Sequence, residues 1–447
     1  MVKEHLHAAT AFASGLSALP GLKTAFASTQ AAWRFYANDD VTLSELIKPL
    51  QEAGREGCTA SSSSYVLLIH DWSTLAFGTH SSKADRVQLT HQHDVGYELS
   101  TALLVDAATG DPLAPMEVRL RAEDRVHSTR TPAPKTAAKR LDQLLPTMKA
   151  AAGWGLGKTL VHIIDREADS VGHFRKWTAQ GHLLLVRADA ARSVRWRQKV
   201  LTLPKVVAAL AEEQAFRPVG EVAYKGRQGR QWIAETTVIL HKPARTRTAA
   251  GQIDVPGKPL PLRLIVSRIF AADGTLLAQW LLLTNLPADV SAATVALWYY
   301  WRWRIESYFK LLKSAGQALE DWQQESAGAI AKRLLVASLS CVVVWRLARL
   351  SRRQRKRDRP VTEPALLAGF QTMPAMLDLL EDFDVQELRR LVALALPFHD
   401  SGWSCVDTHA QATVNVTHGT SAIPDCGFGR GSGWACPLRS TARTRNS

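Results

Sequence analysis

The chain has 447 residues, 46% hydrophobic and 21% charged, which exceeds one ordinary domain, allows substantial buried cores and excludes wholesale disorder. Lys and Arg number 55 against 41 Asp and Glu; the resulting +14 favours a polyanionic partner such as nucleic acid, a property shared with ribosome-associated and membrane-surface proteins. Of five cysteines, three (Cys405, Cys426, Cys436) fall in the last stretch, so no disulfide framework organises the body, and a reducing cytoplasm fits best. The longest uncharged apolar run, Leu334 to Trp345, is too short to span a bilayer, and the N-terminus lacks a basic region followed by an apolar core. A soluble, unexported protein without a membrane partner is expected.

Residues 1 to about 60 are Ala-rich with helical spacing, and Gln30 to Asn38 and Leu43 to Leu50 predict two short helices. The Gly/Ser-rich stretch Gly54 to Ser64 reads as punctuation before Tyr65-Val-Leu-Leu-Ile69, a buried strand that ends at His70-Asp71. Gly96 to Val105 and Met116 to Leu120 predict two antiparallel strands around the turn Thr109-Gly-Asp-Pro112. Ala137 to Ala152 predicts a helix, Thr159 to Ile164 a strand ending in Asp165, and His182 to Val186 a further strand beyond an intervening helix. From about 188 to 285 the pattern turns to short β pieces, Gly220 to Tyr224, Trp232 to Leu240, Leu262 to Ile269 and Leu276 to Leu283, which predicts an inserted β-rich domain. Ala292 to Lys313 contains neither Gly nor Pro and predicts one helix, capped by Asp289 or Ser291. Leu334 to Leu350 is again helical, Arg352 to Arg359 is densely basic, and Ala365 to Leu396 predicts one or two helices. The segment from Ser401 has no apolar period and predicts a disordered tail.

Two-metal phosphodiester chemistry needs a few clustered carboxylates, and strand ends of α/β sheets are where such groups gather. Asp71 and Asp165 both follow predicted buried strands, although an Asp there can simply cap the next helix. Glu306 has more company. Tyr299, Arg302, Glu306, Lys310 and Lys313 fall within roughly 80° of arc on a continuous helix. Leu297, Trp301, Ile305, Tyr308 and Leu312 form the opposite face, expected to pack on the sheet. A plain amphipathic helix explains polar-out and apolar-in, but not one carboxylate among three cations and a tyrosine; a metal-binding Glu beside phosphate-binding Arg and Lys does. Cys405, His409, Cys426 and Cys436 lack the paired spacing of zinc sites, and His70 reads as a local hydrogen-bonding group.

The spacing Tyr299-x2-Arg302-x3-Glu306-x6-Lys313 resembles the signature of the insertion-sequence-four family of DDE transposases, including the transposon-five-like enzymes. Asp165-Arg-Glu-Ala-Asp169 is similar to that family's second catalytic motif and Asp71-Trp-Ser-Thr74 to its first, over roughly residues 25 to 400. The resemblance implies an α/β fold with an RNase H-like catalytic core, divided between 61–187 and 286–345 by the β-rich insertion 188–285. It further implies a helical end-binding region in 1–60, shorter than family members have, and a helical 346–400 serving dimerisation; 401–447 lies outside it. By the same resemblance Asp71, Asp165 and Glu306 bind two Mg²⁺ (Mn²⁺ as a substitute), while Tyr299, Arg302 and Lys313, with Lys310, Arg166 and Arg187, contact DNA phosphates. Trp280 would stack on a base flipped from the transposon end, assisted by Trp303. The implied activity is cut-and-paste transposition by a homodimer on terminal inverted repeats and target DNA, by nicking, hairpin formation and opening, and strand transfer, in the bacterial cytoplasm at the nucleoid. A catalytically idle or truncated DNA-binding copy and a metal-dependent nuclease are the alternatives.

Overall fold

A computed structural model of the chain describes residues 25–91, 93–135, 139–248, 251–314, 316–353 and 362–367, all within the unit Met1–Asp384. Most of the basic run Arg352 to Arg359, all but the helical residues 365–367 of the helices expected in Ala365 to Leu396, the tail and its Cys/His residues lie outside the described residues.

Three helices lead in: α1 (Ala25–Ala37), α2 (Leu43–Leu46) and α3 (Lys48–Ala60). Helix α3 overturns the expectation that Gly54 opens a loop. A Cβ on Gly54 would meet Met116 Sδ at 2.5 Å, and one on Gly57 would meet Leu113 at 2.9 Å; both glycines let the helix lie close on the sheet. The strands β1 (Tyr65–Ala76), β2 (Val87–Gln88), β3 (Val95–Asp106), β4 (Pro112–Arg121) and β5 (Val126–Ser128) follow, then α4 (Arg140–Ala152), β6 (Thr159–Ile164), α5 (Val171–Thr178) and β7 (Leu183–Arg187). The 188–285 segment contains β8 (Ser193–Trp196), β9 (Lys199–Thr202), the unforeseen helix α6 (Leu203–Glu212), β10 (Arg217–Tyr224), β11 (Arg227–Leu240), β12 (Ala244–Thr248), β13 (Gly251–Val255), β14 (Leu260–Phe270) and β15 (Leu276–Thr284). Helices α7 (Ala292–Tyr300), α8 (Trp303–Leu312) and α9 (Ala327–Arg353) complete the described elements.

The fold is mixed α/β around one large sheet. Its order is β5-β4-β3-β1-β6-β7-β15-β14-β11-β8-β9, with β2 on β3 and β10 on β11; β12 and β13 form a separate hairpin. β1 pairs parallel with β6, and β6 with β7, whereas β1–β3, β3–β4 and β7–β15 are antiparallel. The continuous apolar runs of β1 and β6 have a physical cause: these central strands are covered on both faces. The 188–285 strands do not form a sheet of their own. Leu282 to Thr284 of β15 pair with Leu185 to Arg187 of β7, so the segment extends the central sheet.

Two apolar cores flank that sheet. One gathers α3, α7, α8 and α9 residues such as Leu50, Trp298, Tyr308 and Leu334; the other gathers Met148 of α4, Phe174 and Trp177 of α5, and Leu203 and Val207 of α6. Ala327–Arg349 of α9 is long and apolar enough to cross a membrane, yet 83% of its most apolar window is buried inside the protein. Among the described cysteines, Cys58 and Cys341 are buried free thiols.

Candidate active site

The sheet register brings the two aspartates together. Parallel pairing of β1 with β6 ends at His70↔Ile164, so Asp71 and Asp165 are the next residues on neighbouring strands at one level. Asp165 does follow its strand, as expected. Asp71 does not: β1 continues to Ala76, because the antiparallel partner β3 keeps pairing through Ala76↔Gly96 after β6 has stopped.

The third carboxylate comes from the helical layer. Ser291 Oγ accepts from the backbone N–H of Thr294 at 3.1 Å and starts α7. The single helix expected over Ala292 to Lys313 is broken at Trp301 and Arg302, where Arg302 N–H donates to Tyr299 O and Ile305 N–H to Arg302 O, the tighter i+3 pattern. No Gly or Pro signals this break; tertiary anchors hold it. Trp301 packs over Gly110 of the β3–β4 turn, where a Cβ would lie 2.3 Å from the indole and φ is +71°. Arg304 Nε donates to Gly110 O at 2.8 Å, and Trp298 Nε1 to Ala107 O at 3.0 Å. The break redistributes the expected strip: Tyr299 and Arg302 are buried, Glu306 is half-buried and Lys310 is exposed. Leu297, expected to pack on the sheet, is 45% exposed.

Arg302 sits at the centre of the three carboxylates. It donates through Nη1 to Asp71 Oδ2 at 2.8 Å and through Nη2 to Glu306 Oε1 at 2.6 Å, with Asp165 Oδ2 4.0 Å from Nη2. Tyr299 OH donates to Asp165 Oδ1 at 2.9 Å, and Arg187 Nη1 lies 3.8 Å from the same oxygen. Burial pushes Asp71 up to about 6, against the opposing pull of Arg302 and the Trp72 N–H. Burial acts on Asp165 in the same sense, but Arg302, the Arg166 N–H, Tyr299 and Arg187 together outweigh it and hold its carboxyl below the usual range. Burial and Asp165 both raise the Tyr299 phenol, so it stays protonated and donates.

The remaining expected residues fall into two groups. Lys313 closes on β1, with Nζ donating to Thr74 O at 2.6 Å and pairing with Glu320 at 3.0 Å; Glu320 in turn accepts from Ala76 N–H at 2.9 Å. Arg166, Lys310 and Trp303 are exposed beside the site, the Trp303 ring 5.5 Å from the Arg302 guanidinium. Trp280 is a correction. It is 4% exposed, its ring enclosed by Tyr224, Tyr299 and Tyr300 at 5.9, 6.0 and 6.2 Å between centroids, because α7 covers this face of β15; it stands as a core aromatic and not as an open stacking platform. Sequence reading missed Glu320 and Arg140. Arg140 lies 5.2 Å over the Trp72 ring, pairs with Glu98 at 2.6 Å and reaches Glu167 at 3.4 Å. Nothing local to Glu320 or Arg140 marks either residue, since each acts on strand β1 from far along the chain.

With Arg302 in place, no group of three or more His, Cys, Asp or Glu side chains among the described residues is gathered closely enough to hold an ion. The donor chemistry nevertheless suits hard divalent cations: Asp71, Asp165 and Glu306 are carboxylates around one cationic centre, and Asp71 and Glu306 have no other ion-pair partner among the described residues.

No family model and no curated protein matches this chain. Among solved structures it is similar to the piggyBac transposase synaptic complex with hairpin DNA, at 10% identity and a TM-score of 0.32, with 80% of this chain and 64% of that chain covered. The chain thus spans less than two thirds of that neighbour, and so loose a likeness carries no weight for fold or function.

Proposed function

We propose that this chain is a metal-dependent DNA strand-processing enzyme of the DDE transposase kind, resembling the insertion-sequence-four family, with Asp71, Asp165 and Glu306 as the residues that would hold two Mg²⁺. The observation that carries this reading is the convergence of three carboxylates, from β1, β6 and α8, on one guanidinium. Support for an RNase H-like core comes from the run β4-β3-β1 of antiparallel strands joined to the parallel β6 and β7, with both aspartates at the junction. Bound there, the ions would supply Lewis-acid activation of the attacking hydroxyl and charge stabilisation at phosphorus. The chain's own residues do the rest. Tyr299 fixes the orientation of Asp165 through its hydroxyl, Lys313 ties the end of α8 to β1, and Arg187, Arg166 and Lys310 offer cations to a phosphodiester at the rim. DNA is the partner that this cationic rim fits, and pairing of two copies on two DNA ends follows from the same family reading.

One observation favours a plainer reading. An enclosed Trp280 is not available to a flipped base without moving Tyr224 or Tyr300, which removes one feature that set end processing apart from simple degradation. Incubating the purified chain with Mg²⁺ and DNA carrying the element's terminal repeats separates the readings. Hairpin-ended products are expected; unspecific degradation would identify a nuclease, and a mobility shift without cleavage an idle DNA-binding copy.

A further inference from the structure

We propose that Arg302 is an internal competitor for the metal site: its guanidinium and the divalent ions claim the same carboxylate oxygens, so the ions bind as Arg302 leaves for a DNA phosphate. The proposal rests on reading Asp71, Asp165 and Glu306 as metal ligands. It goes beyond that reading by making metal and DNA binding mutually dependent.

Three features carry it. The guanidinium lies between the carboxylates, bridging Asp71 and Glu306 at 2.8 and 2.6 Å and standing 4.0 Å from Asp165, and with it there no group of three or more such ligands among the described residues is gathered closely enough to hold an ion. Its hold is incomplete. Arg302 is 5% exposed, yet its buried Nε has no hydrogen-bond partner, so one donor of the fork is stranded in an environment where an unpaired polar group is costly. There is also a way out. Arg302 occupies the turn between α7 and α8, outside the regular ladder of either helix, and the 38% exposed Trp303 ring lies 5.5 Å from the guanidinium carbon, a face along which a cation can move towards solvent.

A bidentate phosphate satisfies the guanidinium fork as well as two carboxylates do. Transfer of Arg302 to a phosphodiester leaves Asp71 and Glu306 without a counter-charge, which the incoming ions then supply. Without DNA the guanidinium offsets part of the negative charge of the three carboxylates. Because binding linkage is reciprocal, DNA tightens metal binding by the same factor that metal tightens DNA binding. A scaffold role for Arg302 makes the opposite prediction: a guanidinium that only arranges the carboxylates would leave a poorer metal site when removed.

The test is a Mn²⁺ titration of the full chain, followed by calorimetry or by the loss of free-ion paramagnetic resonance, with and without a DNA duplex whose own Mn²⁺ uptake is subtracted. Two results are expected: Arg302→Gln without DNA binds Mn²⁺ about ten-fold more tightly than the parent, and DNA tightens Mn²⁺ binding to the parent by a comparable factor while hardly affecting the variant. Equal or weaker Mn²⁺ binding by Arg302→Gln, with a melting curve like the parent's, overturns the proposal. Should that variant fail to fold, the parent's response to DNA decides alone, and no response overturns it. Failure of the metal-site reading looks different: Mn²⁺ binding is then absent from every form, or survives Asp165→Asn combined with Glu306→Gln, and the proposal falls with it.

Discussion

The strand-borne and helix-borne halves of the site are held in place by different physics. Asp71 and Asp165 are neighbours because a parallel ladder ends one residue before each of them, so their separation is fixed by backbone register and a slip of one residue in either strand would turn its aspartate to the other face. Glu306 has no such ruler. Its position depends on a break in a helix that the local sequence would continue, and that break is held by Trp301 on Gly110 and by Trp298 and Arg304 on carbonyls of the β3–β4 turn. The strand half is thus fixed by backbone pairing, whereas the helix half is fixed by side-chain anchors and is more adjustable.

The sharpest way to challenge that contrast is Glu306→Ala. Loss of cleavage by on the order of a thousand-fold or more, with DNA binding retained in a mobility-shift assay, is expected of a metal ligand; surviving cleavage would remove Glu306 from the site. Next in size is Gly110→Ala, which forces a side chain into the Trp301 ring at a positive-φ position. It should cost on the order of 2–4 kcal/mol in denaturant unfolding and lower cleavage beyond what that loss explains, although it touches no carboxylate. Unchanged activity would show that the turn does not position Glu306.

The strand half has its own weakness, which lies beneath the aspartates. His70 and His162 are buried and bonded ring to ring at 3.0 Å; burial lowers His70 to about 3 and His162 well below its usual value. Both are neutral in the folded protein, while the unfolded chain takes up their protons below about 6.5. Stability should therefore fall as pH drops through about 6.5 towards 3, with a slope of about 1.4 kcal/mol per pH unit for each histidine. Chemical denaturation across that range measures it, and His162→Gln should flatten the slope; an unaltered slope would assign the acid loss to other groups. The smallest effect belongs to the helix rim. Lys310→Ala removes one exposed cation, so it should weaken DNA binding a few-fold irrespective of sequence and lower the salt dependence by about one phosphate contact.

The same contrast explains what could be read from the sequence. The bounds of β6 were legible to the residue, and those of β3 and β15 nearly so, because buried strands are written as apolar runs between turn residues. The expectation that singles out Asp71 rests on an imperfect reason. The apolar run stops at Ile69 where cover on one side ends, but the strand runs on to Ala76 under the control of β3. Residues 188 to 285 read correctly as β-rich, but their fusion to β7 through β15 depends on pairing partners about a hundred residues apart, which periodicity does not record. Helix α6 was missed inside that stretch, and Leu297 and Trp280 exchanged their expected environments. Leu297 lies on the outer side of α7, whereas Trp280 lies under it.

Helix α9 gives the site a place in the timing of synthesis. Tyr308 of α8 bonds to Ser338 of α9 at 2.6 Å and packs against Trp345 with ring centroids 5.8 Å apart, so the helix that carries Glu306 closes against one made later. On the ribosome, the sheet and both aspartates can form early, leaving an apolar socket along β4 that waits for α9. The helix that carries the third carboxylate lacks its cover by Ser338 and Trp345 until that part of the chain has emerged. A nascent chain therefore presents two of the three acidic groups before the helix bearing the third is fully packed, and the candidate site is completed only when translation has passed the longest described helix.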